Sequence, residues 1–224
     1  MDKDVGGLIS LGILLVAVAF IVSVVGYFRR EREPEELHQR FLIRFYVYMM
    51  LFFSLLLIFI GTVFVLRGIL SYLFGLSFSY TGSPMWEEGT PDRTPKFLGI
   101  RYDERERLVD MVSGMIVGIT GLIVYMIHRV LEKRVEPAKL SSRSFLKQSY
   151  LMNNAVLYGG LTIYAVPVGI YSVLKRYLIH TEITGENYWA IPVPGTILSV
   201  AIVALPLWIS FIMKLQTAWK SSGI

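Results

Sequence analysis

The sequence predicts an all-α protein, a polytopic transmembrane helical bundle with five spans and no sheet. Three observations predict it. The chain of 224 residues is 54% hydrophobic and only 17% charged, where an ordinary soluble domain carries roughly a quarter charged residues. The apolar residues gather in five uncharged runs, each near the ~20 residues that a spanning helix needs. Inside a bilayer only helices or closed barrels satisfy the backbone, and runs this long and uninterrupted are helical. The mean hydropathy of +0.55 agrees. The same composition excludes disorder and collagen. The lack of cysteine excludes disulfides, thiol nucleophiles and thiolate metal sites.

The first run is uncharged from Val5 to Phe28. It exceeds the ~7–15 residues of a signal-peptide core, no A-x-A site follows, and Arg29-Arg30-Glu31-Arg32 closes it. It therefore reads as a retained span. The second run extends from Phe45 to Leu66 between Arg44 and Arg67, which would snorkel to opposite interfaces. The third extends from Met111 to Ile127, between Asp110 and His128-Arg129. The fourth extends from Leu151 to Leu174 and ends at Lys175-Arg176. The fifth extends from Gly195 to Met213 and ends at Lys214.

The net charge of +5 would point to nucleic acid in a soluble protein. Here the basic residues flank apolar runs, so cytoplasmic loops and lipid headgroups account for them, and no nucleic-acid partner is expected. Thirteen of the 22 Lys and Arg fall on one side: in Arg29–Arg44, in Arg129–Lys147 and in the C-terminal tail. This asymmetry places that side in the cytoplasm. The expectation is a multi-pass protein of the cytoplasmic (inner) membrane, N-terminus outside and C-terminus inside.

An internal duplication organises the chain. Glu33-Pro34 and Leu37 recur as Glu136-Pro137 and Leu140, 103 positions later. The same offset pairs Arg40 with Arg143, Arg44 with Lys147, and Thr81-Gly82 and Trp86 with Thr184-Gly185 and Trp189. Each unit has two spans, so both copies face the same way, a parallel 2+2+1 repeat. The units are 1–107, with a long outer loop, and 108–224, with the fifth helix added. Val124-Tyr125-Met126-Ile127-His128-Arg129, Leu205-Pro206-Leu207-Trp208, Ser149-Tyr150-Leu151 and Phe45-Tyr46-Val47-Tyr48 resemble segments of bacterial tandem two-helix membrane domain proteins of unknown function. That resemblance implies paired spans and brings no activity or site.

Candidate chemistry is sparse. No P-loop, G-x-S-x-G or H-E-x-x-H occurs, so no enzyme and no cofactor are expected. His128 is a candidate cofactor ligand, set against an ordinary interfacial histidine at a helix C-terminus. Asp110 is a candidate ion contact, set against a solvated or dipole-paired carboxylate, with no second acid in a span to build a relay. Gly114, Gly118 and Gly121, with Gly159 and Gly160, are candidates for close helix packing. Asn153, Asn154, Tyr158, Thr162 and Tyr164 make the fourth helix the most polar and are candidates for lining a pocket or pore. Pro167 and Pro206 fall inside spans and can kink them. The polar stretch Tyr80–Arg107 reads as loop, with Tyr102–Arg107 starting the third helix.

Two functions fit. The first is a non-catalytic membrane protein, an accessory or assembly subunit or a homo-oligomer, acting through helix–helix association. The second is a small transporter or channel. The first leads because an ion or polar-solute site needs polar groups converging at the midplane.

Overall fold

A computed structural model of the chain describes residues 35–87, 96–135, 145–178 and 193–222. The first predicted span, Val5–Phe28, lies outside the described residues, as do several residues that carry the repeat: Glu33-Pro34, Glu136–Leu140, Arg143 and Thr184–Trp189.

Among the described residues the order is α1 (Glu35–Phe74), α2 (Leu76–Ser79), β1 (Ser83–Glu87), β2 (Lys96–Arg101), α3 (Glu104–Val135), α4 (Phe145–Leu178) and α5 (Pro194–Ser222). Helices α1, α3, α4 and α5 are each long and apolar enough to cross a membrane. They contain the second to fifth uncharged runs. Each continues past its run into charged flanks, as α1 does for 40 residues. Gly75 stops α1: its φ of 90° is open to glycine at little steric cost. The chain turns there into the single turn of α2, closed by Tyr80 N–H donating to the Leu76 carbonyl at 2.9 Å.

The expectation of no sheet is corrected by one antiparallel hairpin. β1 pairs with β2 from Ser83 opposite Arg101 to Glu87 opposite Lys96, with an irregularity between Met85 and Trp86. The prolines of this stretch argued for loop. In a two-stranded sheet both strands are edges, where Pro84 is tolerated. Apolar Phe97-Leu98 and Ile100 between Lys96 and Arg101 are the signal that a short strand gives. The helix start expected near Tyr102–Arg107 falls at Glu104.

The chain divides into two compact units, and each long helix contributes residues to both. One unit takes α1 up to Ile60, α3 from Val117, α4 up to Thr162 and α5 from Ala204. Its core is aromatic. Tyr158 stacks on Phe211 at 6.0 Å and meets Phe59 at 5.4 Å, and Tyr150 lies edge-on to Phe211 at 6.0 Å. Gly121 of α3 packs on α1 so closely that a Cβ would stand 2.8 Å from Ile58 N and 2.9 Å from Ser54 O. Gly159 of α4 receives the Trp208 ring of α5.

The other unit takes Gly61–Ile116 and Ile163–Val203. Here Gly114 of α3 lies against Gly61, Phe64 and Val65 of α1. Gly169 of α4 faces Leu198 of α5, and Gly195 admits Ser79.

Candidate functional site

Three polar assemblies stand out. The first lies in the unit built on Gly61–Ile116. Arg67 is buried (8% exposed). Its Nη1 is 3.0 Å from Asp110 Oδ2, its Nε donates to the Ser79 carbonyl at 2.9 Å, and its guanidinium lies 4.2 Å from the centre of the Tyr80 ring. Two expectations change. Arg67 does not snorkel away, and Asp110 is neither solvated nor alone. The cause is mutual: each side chain gives the other the opposite charge that a buried ion requires. Thr196 Oγ1 donates to the same Ser79 carbonyl at 3.3 Å.

Tyr80 is buried at the end of α2 (1% exposed). Burial pushes its hydroxyl up to about 12, the Asp110 carboxylate adds to the rise, and Arg67 opposes it. Two further arginines fasten this corner. Arg107 lies 3.7 Å from the centre of the Tyr72 ring, and Arg176 donates to the Ser77 carbonyl at 2.8 Å and to its hydroxyl at 2.6 Å.

The second assembly lies in the unit that holds Val117–Thr162. Glu132, read as a loop residue, is a buried carboxylate (7% exposed) near the end of α3. It pairs with Arg129 one turn before it and accepts from Tyr48 Oη at 3.5 Å. His128 lies on the same stretch. Its Nδ1–H donates to the Val124 carbonyl at 2.8 Å, and its Nε2 lies 3.4 Å from Tyr46 Oη. Both ring nitrogens are thus held by protein groups. Among the described residues no three acidic or histidine side chains gather to hold a metal.

The third assembly is a cavity of about 470 Å³ in the same unit. Arg129, Glu132, Lys147 and Lys214 line it together with Tyr150 and Phe211. On α4, the pocket or pore candidates Asn153, Asn154, Tyr158 and Thr162 are buried, and they do not line this cavity. Asn154 Nδ2 donates to the Tyr150 carbonyl at 2.8 Å, and Thr162 Oγ1 to the Tyr158 carbonyl at 2.7 Å. Tyr164 is turned outward, since two residues beyond Thr162 is roughly 200° around a helix. Of the candidate glycines, Gly114, Gly121 and Gly159 touch a neighbouring helix, Gly118 is half-buried, and a Cβ on Gly160 would meet nothing.

The sequence pointed to His128, Asp110 and the polar face of α4. It missed Arg67, Glu132 and the lysines of the cavity, because each reads locally as a flanking charge. No family model matches the chain, no curated protein matches it, and no solved structure matches its fold.

Proposed function

We propose that this chain is a multi-pass protein of the cytoplasmic membrane that has no catalytic activity of its own. It works through helix–helix association, as an accessory or assembly subunit or as a homo-oligomer. In this reading the N-terminus is outside and the C-terminus inside. The observation that carries it is how the interior polar groups are used. Ser54, Ser71, Asn154, Thr162 and Ser199 each donate to a carbonyl of their own helix. Donors satisfied within their own helix leave the packing between helices to apolar and glycine contacts, the kind of surface through which helices associate. The surface of α3 supports the reading further. Only 11% of its apolar window is buried, against 28–33% for the other three helices.

A second reading, a small transporter, draws on the cavity and on Pro167 and Pro206 inside α4 and α5. One preparation separates the two. The protein is purified in mild detergent and the mass of the particle is measured. A stoichiometric complex heavier than the 25.5 kDa chain supports association. A monomer that alone moves a solute across proteoliposomes, and stops when Asn154 or Tyr158 is replaced, overturns it. Reporter fusions at positions 38 and 90 test the orientation, and an external signal at 38 reverses it.

A further inference from the structure

We propose that the outer face of α3 is an interface with a second copy of this chain, the two α3 helices lying side by side and parallel. This rests on the association reading above and gives it a partner and a surface. The observation is an exposed apolar stripe that runs along α3. Val109, Ile116, Ile123 and Val130 fall seven residues apart, and Val112, Ile119 and Met126 fall between them. All seven are 50–62% exposed. Alternating steps of three and four make the a/d pattern of a coiled-coil seam, here with a β-branched residue at every a. From Val109 to Val130 the stripe rises about 33 Å, close to the ~30 Å of a hydrocarbon core. The opposite face of α3 has the same repeat and is occupied. Gly114, Gly121 and His128, also seven apart, are buried there against α1.

Lipid asks only that an outer face be apolar, whereas a strict seven-residue repeat is what keeps one face turned to another helix. The other long helices lack it. Pro167 and Pro206 interrupt α4 and α5, and α1 is buried or half-buried from Ser54 to Gly61.

Symmetry and charge select a second copy. Copies in one membrane share one orientation, so their α3 helices run parallel. A seam of this kind is self-complementary about a two-fold axis, with each a and d residue meeting its own counterpart. Left-handed packing near 20°, common between spanning helices, accommodates it. Arg105 takes the next d position and Glu106 the e position beside it. Both are exposed, and among the described residues neither forms an ion pair. In a parallel pair a d side chain packs beside the e residue of the facing helix. Arg105 of each copy therefore meets Glu106 of the other, twice over. At the far end Lys133 falls at d, where like charges would meet, so the seam closes at Val130.

The chain has no cysteine, so introduced cysteines report without background. The full chain is oxidised mildly in its membrane as I119C, I123C or M126C, with I163C on α4 and I202C on α5 as exposed controls. The expected result is a disulfide-linked pair at each seam position, at least ~5-fold above both controls, because only residues at the axis come within bonding reach. In I119C, adding R105E sets acid against acid and should cut the yield roughly fivefold, and R105E/E106R should restore it. Three seam positions keep the test decisive if one variant fails to fold.

Linking at Ile163 or Ile202 that equals the seam positions overturns this interface and leaves association standing. So does a heavier particle that holds other proteins and gives no linked pair at the seam. A yield that R105E leaves unchanged, or that R105E/E106R does not restore, overturns the register and the proposal with it. No linked pair at any position, together with a particle of 25.5 kDa in mild detergent, fails the association reading itself.

Discussion

Arg67 and Asp110 form an ion pair at 3.0 Å between α1 and α3, with side chains only 10% and 17% exposed. Removing one partner of such a pair strands the other charge, which costs about 3–5 kcal/mol, whereas replacing both with apolar groups is often neutral or better. Asp110→Leu and Arg67→Met should therefore each destabilise the protein strongly, and R67M/D110L should recover most of the loss. Thermal unfolding of the three variants in detergent measures this. Additive losses in the double variant would mean that the two charges do not depend on each other.

The two ends of α3 should respond differently. Glu132 also has an arginine partner, but Arg129 is half exposed (48%) and can turn to water when the carboxylate is gone. Glu132→Gln keeps an acceptor for Tyr48 and should cost only about 1 kcal/mol, as a hydrogen bond to a charged group is weakened and no ion is stranded. A loss matching that of Asp110→Leu, in the same unfolding assay, would contradict this account.

Gly121 and Gly160 both lie in predicted packing stripes, and the structure separates them. A Cβ on Gly121 would press on the α1 backbone at Ile58 N and Ser54 O, which cannot turn aside, whereas one on Gly160 meets nothing within 4 Å. Gly121→Ala should destabilise by ~1–3 kcal/mol. Gly160→Ala should be neutral or stabilise by up to ~1 kcal/mol, through helix propensity. Unfolding midpoints for the pair decide it, and a larger loss at Gly160 would place an unseen neighbour there.

What was legible in the sequence follows the range of the forces involved. Uncharged runs of spanning length announced α1, α3, α4 and α5, because hydropathy acts locally. The polar character of α4 was legible from composition, but not that Asn153, Asn154, Tyr158 and Thr162 are buried while Tyr164 is exposed. Gly159 and Gly160 were not distinguishable, because adjacent residues point about 100° apart and only the neighbouring Trp208 fixes the phase. The partnership of Arg67 with Asp110, 43 positions apart in sequence, and the convergence of Arg129, Lys147 and Lys214 exist only once the helices pack. Locally each is a charge beside an apolar run, the pattern that the membrane interface also produces.

Tyr80 gives the Arg67 corner a dependence on pH. Its hydroxyl is raised to about 12 by burial and by Asp110, above the ~10 of an unfolded tyrosine. The folded state then holds this proton more tightly than the unfolded state does. Stability from this group is complete below pH ~10 and is lost as pH rises from there through about 12, because the unfolded chain releases the proton first. Tyr80→Phe removes the titration and keeps the ring over Arg67. The difference in unfolding midpoint between wild type and Y80F should be constant from pH 7 to 9.5 and should shift in favour of Y80F as pH rises towards 11.5. A difference that stays flat across the whole range would show that Tyr80 ionises equally in both states.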